Sequence, residues 1–154
     1  MVNGALLRRT ADYQFGLGAG AALFDPVASL DISRTSSGRP RQIRRDGERL
    51  ATYRTDGRYT VGPEGARRLL DAFDAPRLRV VVGAESAPYV REGRNAFAKF
   101  VRDVDPAIRP GDEVLVVEDG SDDLLGIGRA ELSGDGMLDF ETGMAVFVRH
   151  GAGE

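Results

Sequence analysis

Residues 84–111, AESAPYVREGRNAFAKFVRDVDPAIRPG, limit what the whole chain can become. Ala84 to Val90 begins as a helix would, with Pro88 in the first turn, where a missing N–H does no harm. Gly93 then interrupts a run of basic residues. A helix that continued to residue 102 would put Tyr89, Val90, Ala96, Phe97, Phe100 and Val101 on one face. Arg91, Arg94, Asn95, Lys99 and Arg102 would lie opposite. A helix that stopped at Gly93 would instead make Phe97 to Arg102 a strand leaving a basic loop. Periodicity leaves both readings open. In either, cations gather beside a glycine, the residue that lets a ligand approach the backbone.

The flanks of this stretch differ in kind. Upstream, VASLDISRT, PRQIRRD, ERLATYRT and RYTVG form a meander of short strands, broken at Ser36-Ser37-Gly38, Asp46-Gly47 and Asp56-Gly57. Asp-Gly between such runs is a strong hairpin signal, because both turn positions favour positive φ. A helix over 63–73 follows, with Pro63 at its start and Ala66, Leu69, Leu70 and Phe73 at helical spacing. Asp74-Ala75-Pro76 closes it and marks a boundary, giving domains over 1–76 and 77–152. Downstream, EVLVVED, LLGIGRAEL and MAVFVRH are apolar runs of strand length, as in a small barrel or sandwich. MLDFETG suggests one helical turn between the last two, with Ser133, Gly134 and Asp135 in the loop before it. The fold class expected is α+β.

Near the amino terminus, Gly16, Gly18 and Gly20 argue against a long helix, and Thr10 could cap a turn. GLGAG lacks the preceding strand and following Gly-Lys-Ser/Thr of a phosphate loop, so close backbone packing is the better account. No run is long enough for a signal peptide or a membrane span. The absence of cysteine excludes disulfides and thiolate chemistry and suits a cytoplasmic setting.

The net charge of -3 conceals a division. Residues 1–102 hold 18 basic and 11 acidic side chains, whereas residues 103–154 hold 3 and 13. The meander carries Arg34, Arg39, Arg41, Arg44, Arg45, Arg49, Arg54 and Arg58. These form either a solvated sheet face or a phosphate-contacting patch; the forked guanidinium suits phosphate oxygens. Catalysis finds little support. His150 is the single histidine, and Asp112-Glu113 and Asp122-Asp123 fall in turns where solvated acids are routine. No metal site and no cofactor are expected. Tyr89 reads as a core residue, while Tyr53 and Tyr59, alternating with arginines, are left unassigned.

Taken in order, RVVV, APYVREGRNAFAKFV, IRPGDEVLVVED, LLGIGRAELS and GMAVFVRHG resemble the PUA domain, a β pseudo-barrel RNA-binding module. TADYQFGLGAGAALF, SSGRPRQI, DGERLATYRTDGRYTV and GARRLL resemble the small α/β domain that precedes PUA in archaeosine tRNA-guanine transglycosylases. The resemblance implies an archaeal source, halophilic on the composition. The transglycosylase catalytic barrel has no counterpart here, so its activity is not carried over. What the resemblance implies is a non-catalytic binder of tRNA or similar structured RNA, linked to RNA modification. A rival is an assembly factor for a tRNA-modifying enzyme or the ribosome. PUA domains hold RNA at the glycine loop and the last strand, here Arg91, Gly93, Arg94, Asn95 and Lys99 with Arg149 and His150. Arg102, Arg39, Arg41 and Arg44 complete the expected set, whose phosphate contacts are expected at the junction of the two modules.

Overall fold

The computed structural model describes residues 4–153, and the chain divides into two compact units between Phe73 and Asp74. In the first unit, α1 (Gly4–Phe15) and α2 (Ala19–Phe24) pack as a helical pair. The glycines that argued against a long helix end α1 instead of preventing it: Gly16 and Gly18 both have positive φ. A Cβ on Gly20 would lie 2.3 Å from the Arg8 carbonyl oxygen, so the helices touch backbone to backbone, as expected of GLGAG. Thr10 is no cap; it lies within α1 and donates to the Leu6 carbonyl.

A four-stranded antiparallel meander follows: β1 (Asp31–Arg34), β2 (Pro40–Arg45), β3 (Glu48–Tyr53) and β4 (Tyr59–Val61), in that spatial order. Asp46 and Gly47 both adopt positive φ, as a two-residue hairpin requires. At Asp56-Gly57 only the glycine does, because the loop is longer and turns before it. Ile43, Ala51 and Val61 lie in register and point into the core. Helix α3 (Pro63–Ala72) covers β3 so closely that a Cβ on Gly65 would sit 2.1 Å from the Leu50 carbonyl oxygen.

Tyr59 belongs to this core. Its ring packs on Phe24 and Tyr53, and its hydroxyl donates to the Leu7 carbonyl. Burial, and then the neighbouring Tyr53, push its phenol far above the ordinary tyrosine range. Arg45, counted in the sequence among the surface arginines, is also buried. Its guanidinium donates to the Phe24 and Pro26 carbonyls and to Ser29 Oγ, clamping the chain between α2 and β1. Desolvation, and then Arg68 nearby, lower its pKa.

The second unit is built on one six-stranded sheet. Its elements are β5 (Arg79–Val82), α4 (Ala87–Arg91), β6 (Ala96–Phe97), β7 (Val101–Val104), β8 (Glu113–Glu118), β9 (Leu124–Ala130), α5 (Gly134–Asp139) and β10 (Met144–Gly151). The strand order is β6-β10-β9-β8-β5-β7, antiparallel except for β5 beside β8. The two edge strands, β6 and β7, are joined by one 3-10 turn, Ala98–Phe100. Three residues cannot span a flat sheet of six strands, so the sheet must curl until its edges nearly meet. The result is the expected pseudo-barrel. Its interior is filled by Val80, Val82, Val114, Val116, Leu125, Val146 and their neighbours, with Met137 of α5 fully buried.

Two local expectations change. Phe97 to Arg102 is not one strand but two, with the 3-10 turn between them. Gly134 and Asp135 lie inside α5, because Ser133 Oγ accepts the Gly136 N–H and starts the helix three residues early. Among the described residues, no helix is long and apolar enough to cross a membrane.

Two measurements test this account of the first unit. Arg45→Ala should lower its unfolding free energy by about 2–3 kcal/mol, because three charge-assisted bonds are lost and the buried Phe24 carbonyl loses its guanidinium donor. Tyr59 stays protonated in the fold, so its contribution is complete below about pH 10 and is lost as the unfolded tyrosine begins to ionise above it. Denaturant titrations should therefore show stability falling above about pH 10, and Tyr59→Phe should flatten that fall at a cost of about 1 kcal/mol at neutral pH.

Candidate nucleic-acid interface

Helix α4 ends because Gly93 takes φ 99°. The Gly93 N–H donates to the Val90 carbonyl and the Arg94 N–H to the Tyr89 carbonyl, the paired bonds of a left-handed helix stop. Of the two readings of this stretch, the one in which the helix stops at Gly93 is therefore correct. The backbone that emerges, from Arg91 to Asn95, runs straight to β6.

This loop is fastened to the last strand. The Asn95 side-chain oxygen accepts the Val148 N–H at 2.9 Å. The Gly153 N–H donates to the Arg91 carbonyl, and Arg91 Nη1 donates to the Gly153 carbonyl. Gly151 lies closest: a Cβ there would be 2.4 Å from the Arg91 oxygen and 2.5 Å from the Gly93 nitrogen. Strand β10 also carries a bulge between Val148 and His150. The extra residue breaks the alternation of faces, so Arg149 and His150 are both exposed. Gly93 and Asn95 are thus gathered with Arg149 and His150.

The cations there are unequal. Arg149 makes a forked contact with the buried carboxylate of Glu113, at 2.8 Å for the longer bond. Arg102 pairs with Glu85. Arg91 lies 3.9 Å from both Glu118 and Asp123. Asp122, expected to be a solvated turn acid, instead holds the buried Arg79 through two 2.8 Å bonds. Arg94, by contrast, has a 70% exposed side chain and only a loose 3.9 Å approach to Glu92. Lys99 has its ammonium 5.0 Å above the Phe100 ring and no carboxylate in ion-pair range among the described residues. The outward positive charge at the loop therefore rests chiefly on Arg94, while Lys99 lies beyond β6 beside Gly143, at the opposite end of β10 from the loop.

Tyr89 is corrected from core to surface. Helix α4 buries Ala87 and Val90, one turn apart, which leaves Tyr89 outside at 55% exposure. The Arg94 guanidinium lies 5.7 Å from its ring centroid, so an aromatic face and a cation stand side by side. The pairing i, i+3 of Ala87 and Val90 was the available signal. In the first unit, Arg39 lies over the Tyr53 ring and donates to the Arg54 carbonyl. Arg44 donates to Gln42 and to the Gly47 carbonyl, and Arg41 is exposed on β2.

Residues 5–76 match the patch-forming domain C2 of tRNA-guanine transglycosylase, and residues 78–152 match the PUA domain. The chain is 50% identical over 145 residues to the tRNA-guanine(15) transglycosylase of Pyrococcus furiosus, covering 94% of this chain and 24% of that one. It spans about a quarter of the length of the curated relatives it matches. Among solved structures, a hypothetical protein of Pyrococcus horikoshii superposes with a TM-score of 0.69 at 24% identity, covering 99% of this chain and 93% of that one. A conserved PUA domain protein from Thermoplasma acidophilum superposes with a TM-score of 0.67 at 18% identity, again over 99% and 93%. These likenesses establish the fold.

The fastening of loop to strand can be tested alone. Gly151→Ala should force the strand away from the Arg91 and Gly93 backbone and destabilise the second unit by about 1–3 kcal/mol. Hydrogen exchange at Gly93 and at Val148 should accelerate in this variant.

Proposed function

Because this chain belongs to the PUA-domain proteins, with its C2 and PUA domains in the order of the archaeal tRNA-guanine transglycosylases, we propose that it binds structured RNA, tRNA first among candidates, in connection with tRNA modification. The observation that carries this reading is the fastened loop. Gly93 and Gly151 bring two backbones together without side chains between them, Arg94 and His150 stand outward from this frame, and Lys99 adds an exposed cation further along, beside Gly143. Such an arrangement presents cations in fixed positions to a phosphate chain, while Tyr89 offers a face on which an unpaired base can stack. Arg91, Arg102 and Arg149 take a secondary part, since a phosphate must compete for them with carboxylates. Arg39, Arg41 and Arg44 form a separate basic group on the C2 domain.

The chain contributes binding and no chemistry of its own in this reading, which would place it in the cytoplasm with its RNA. One acid of each neighbouring carboxylate pair is committed elsewhere: Glu113, next to Asp112, holds Arg149, and Asp122, next to Asp123, holds Arg79. Recognition of A-form RNA by shape and phosphates makes affinity steep in salt and shallow in sequence. A second reading, docking on a tRNA-modifying enzyme, draws on α1 and the turn after it, where Tyr13 is 95% and Leu17 86% exposed.

Filter binding of a tRNA transcript across a salt series is the test. Arg94→Ala and Lys99→Ala should each weaken binding evenly across RNAs and lower the salt slope by about 1. Arg102→Ala and Arg149→Ala should do less. A double Arg94→Ala, Lys99→Ala variant that retains tRNA like the parent chain at every salt would overturn the site.

A further inference from the structure

Beside β6 the second unit carries a groove of about 370 Å³, lined by Phe97, Lys99, Phe100, Glu141, Thr142 and Gly143. We propose that this groove seats one unpaired guanine of an RNA chain; the inference rests on the RNA-binding reading and deepens it.

The groove departs from what folding alone would select. Ala96 and Ala98 are buried while Phe97 between them is 44% exposed, so the chain hides two alanines and shows a phenylalanine. The ring of Phe97 stands on one wall, with Lys99 above the Phe100 ring beside it. The facing wall, Glu141 to Gly143, is tied across by the Ala98 N–H, which donates to the Gly143 carbonyl at 2.9 Å. Gly143 has φ 103° and nothing within 4 Å of where a Cβ would be, which leaves that wall open. Among the described residues, neither Lys99 nor Glu141 has an ion-pair partner, and they do not pair with each other.

A groove with aromatic rings, an unmatched ammonium and an unmatched carboxylate is complementary to a nucleotide. Rings stack on a base and the ammonium meets its phosphate. The carboxylate decides which base. An ionised carboxylate only accepts hydrogen bonds. Guanine offers N1–H and N2–H together on its Watson–Crick edge, two parallel donors for two oxygens. Adenine and cytosine place a ring-nitrogen acceptor beside their amino group, and uracil flanks its one N–H with carbonyls.

Amide NMR titrations with GMP, AMP, CMP and UMP, and with the pentanucleotides UUGUU and UUAUU, test the proposal. GMP should shift the amides of residues 97–100 and 141–143 at concentrations about tenfold or more below those needed for AMP, the discrimination expected of a two-bond contact. UUGUU should bind more tightly than GMP. Glu141→Gln should remove most of the guanine preference, and Lys99→Ala should weaken all nucleotides alike. Shifts that fall elsewhere, equal response to AMP, or an unchanged preference in Glu141→Gln would overturn the seat. GMP binding as tightly as UUGUU would mark a free-nucleotide site and overturn it equally. None of these outcomes depends on tRNA retention through Arg94, so failure of the groove and failure of the RNA reading are separable.

Discussion

Strand β10 has no side chain at residue 151, and so it can lie against the turn that ends α4. A methyl group there would stand well inside van der Waals contact distance of the Arg91 oxygen and the Gly93 nitrogen. The surface of the second unit follows from this contact. It holds the glycine loop against the strand, lets Asn95 reach the Val148 N–H, and places the bulge at Arg149 beside the loop. The curl of the sheet is the larger counterpart, because β6 and β7 are neighbours in the chain yet occupy opposite edges. Closure makes a frame, and the glycine contact fixes the loop upon it.

Charge works within that frame in a way that linear counting obscures. The excess of basic residues before position 103 suggests a cationic surface, and the acidic excess after it a separate one. In the fold, carboxylates from the later stretch meet arginines from the earlier one: Asp122 with Arg79, and Glu118 and Asp123 near Arg91. Such pairs cancel much of the field an approaching polyanion would feel. The positive character left at the loop is narrow, carried chiefly by Arg94, which stands beside the Tyr89 ring and only loosely approaches Glu92. Narrowness favours a defined footprint over general attraction to nucleic acid.

The C2 domain shows the same sorting. Eight arginines of the meander looked equivalent by composition, but Arg45 is an internal clamp and Arg39 rests on a tyrosine ring. A guanidinium has enough donors to satisfy several carbonyls where the chain reverses, so it can be buried without a carboxylate partner. Residue type alone could not separate that use from an exposed one.

Much of the architecture was legible in the sequence because local chemistry dictates it. Asp46-Gly47 turns a hairpin, Pro63 starts a helix, and apolar runs bounded by glycine become buried strands, whereas only the fold decides that a helix stops at Gly93. The ordered set of these signals also carried the resemblance to the PUA and C2 domains. Tertiary structure alone decided which arginines face water and that Glu141 shares a groove with Phe97. Each of those depends on residues dozens of positions apart being brought together by sheet closure. Hydrogen-bond partners, burial and field are properties of that proximity, and no short window of sequence contains them.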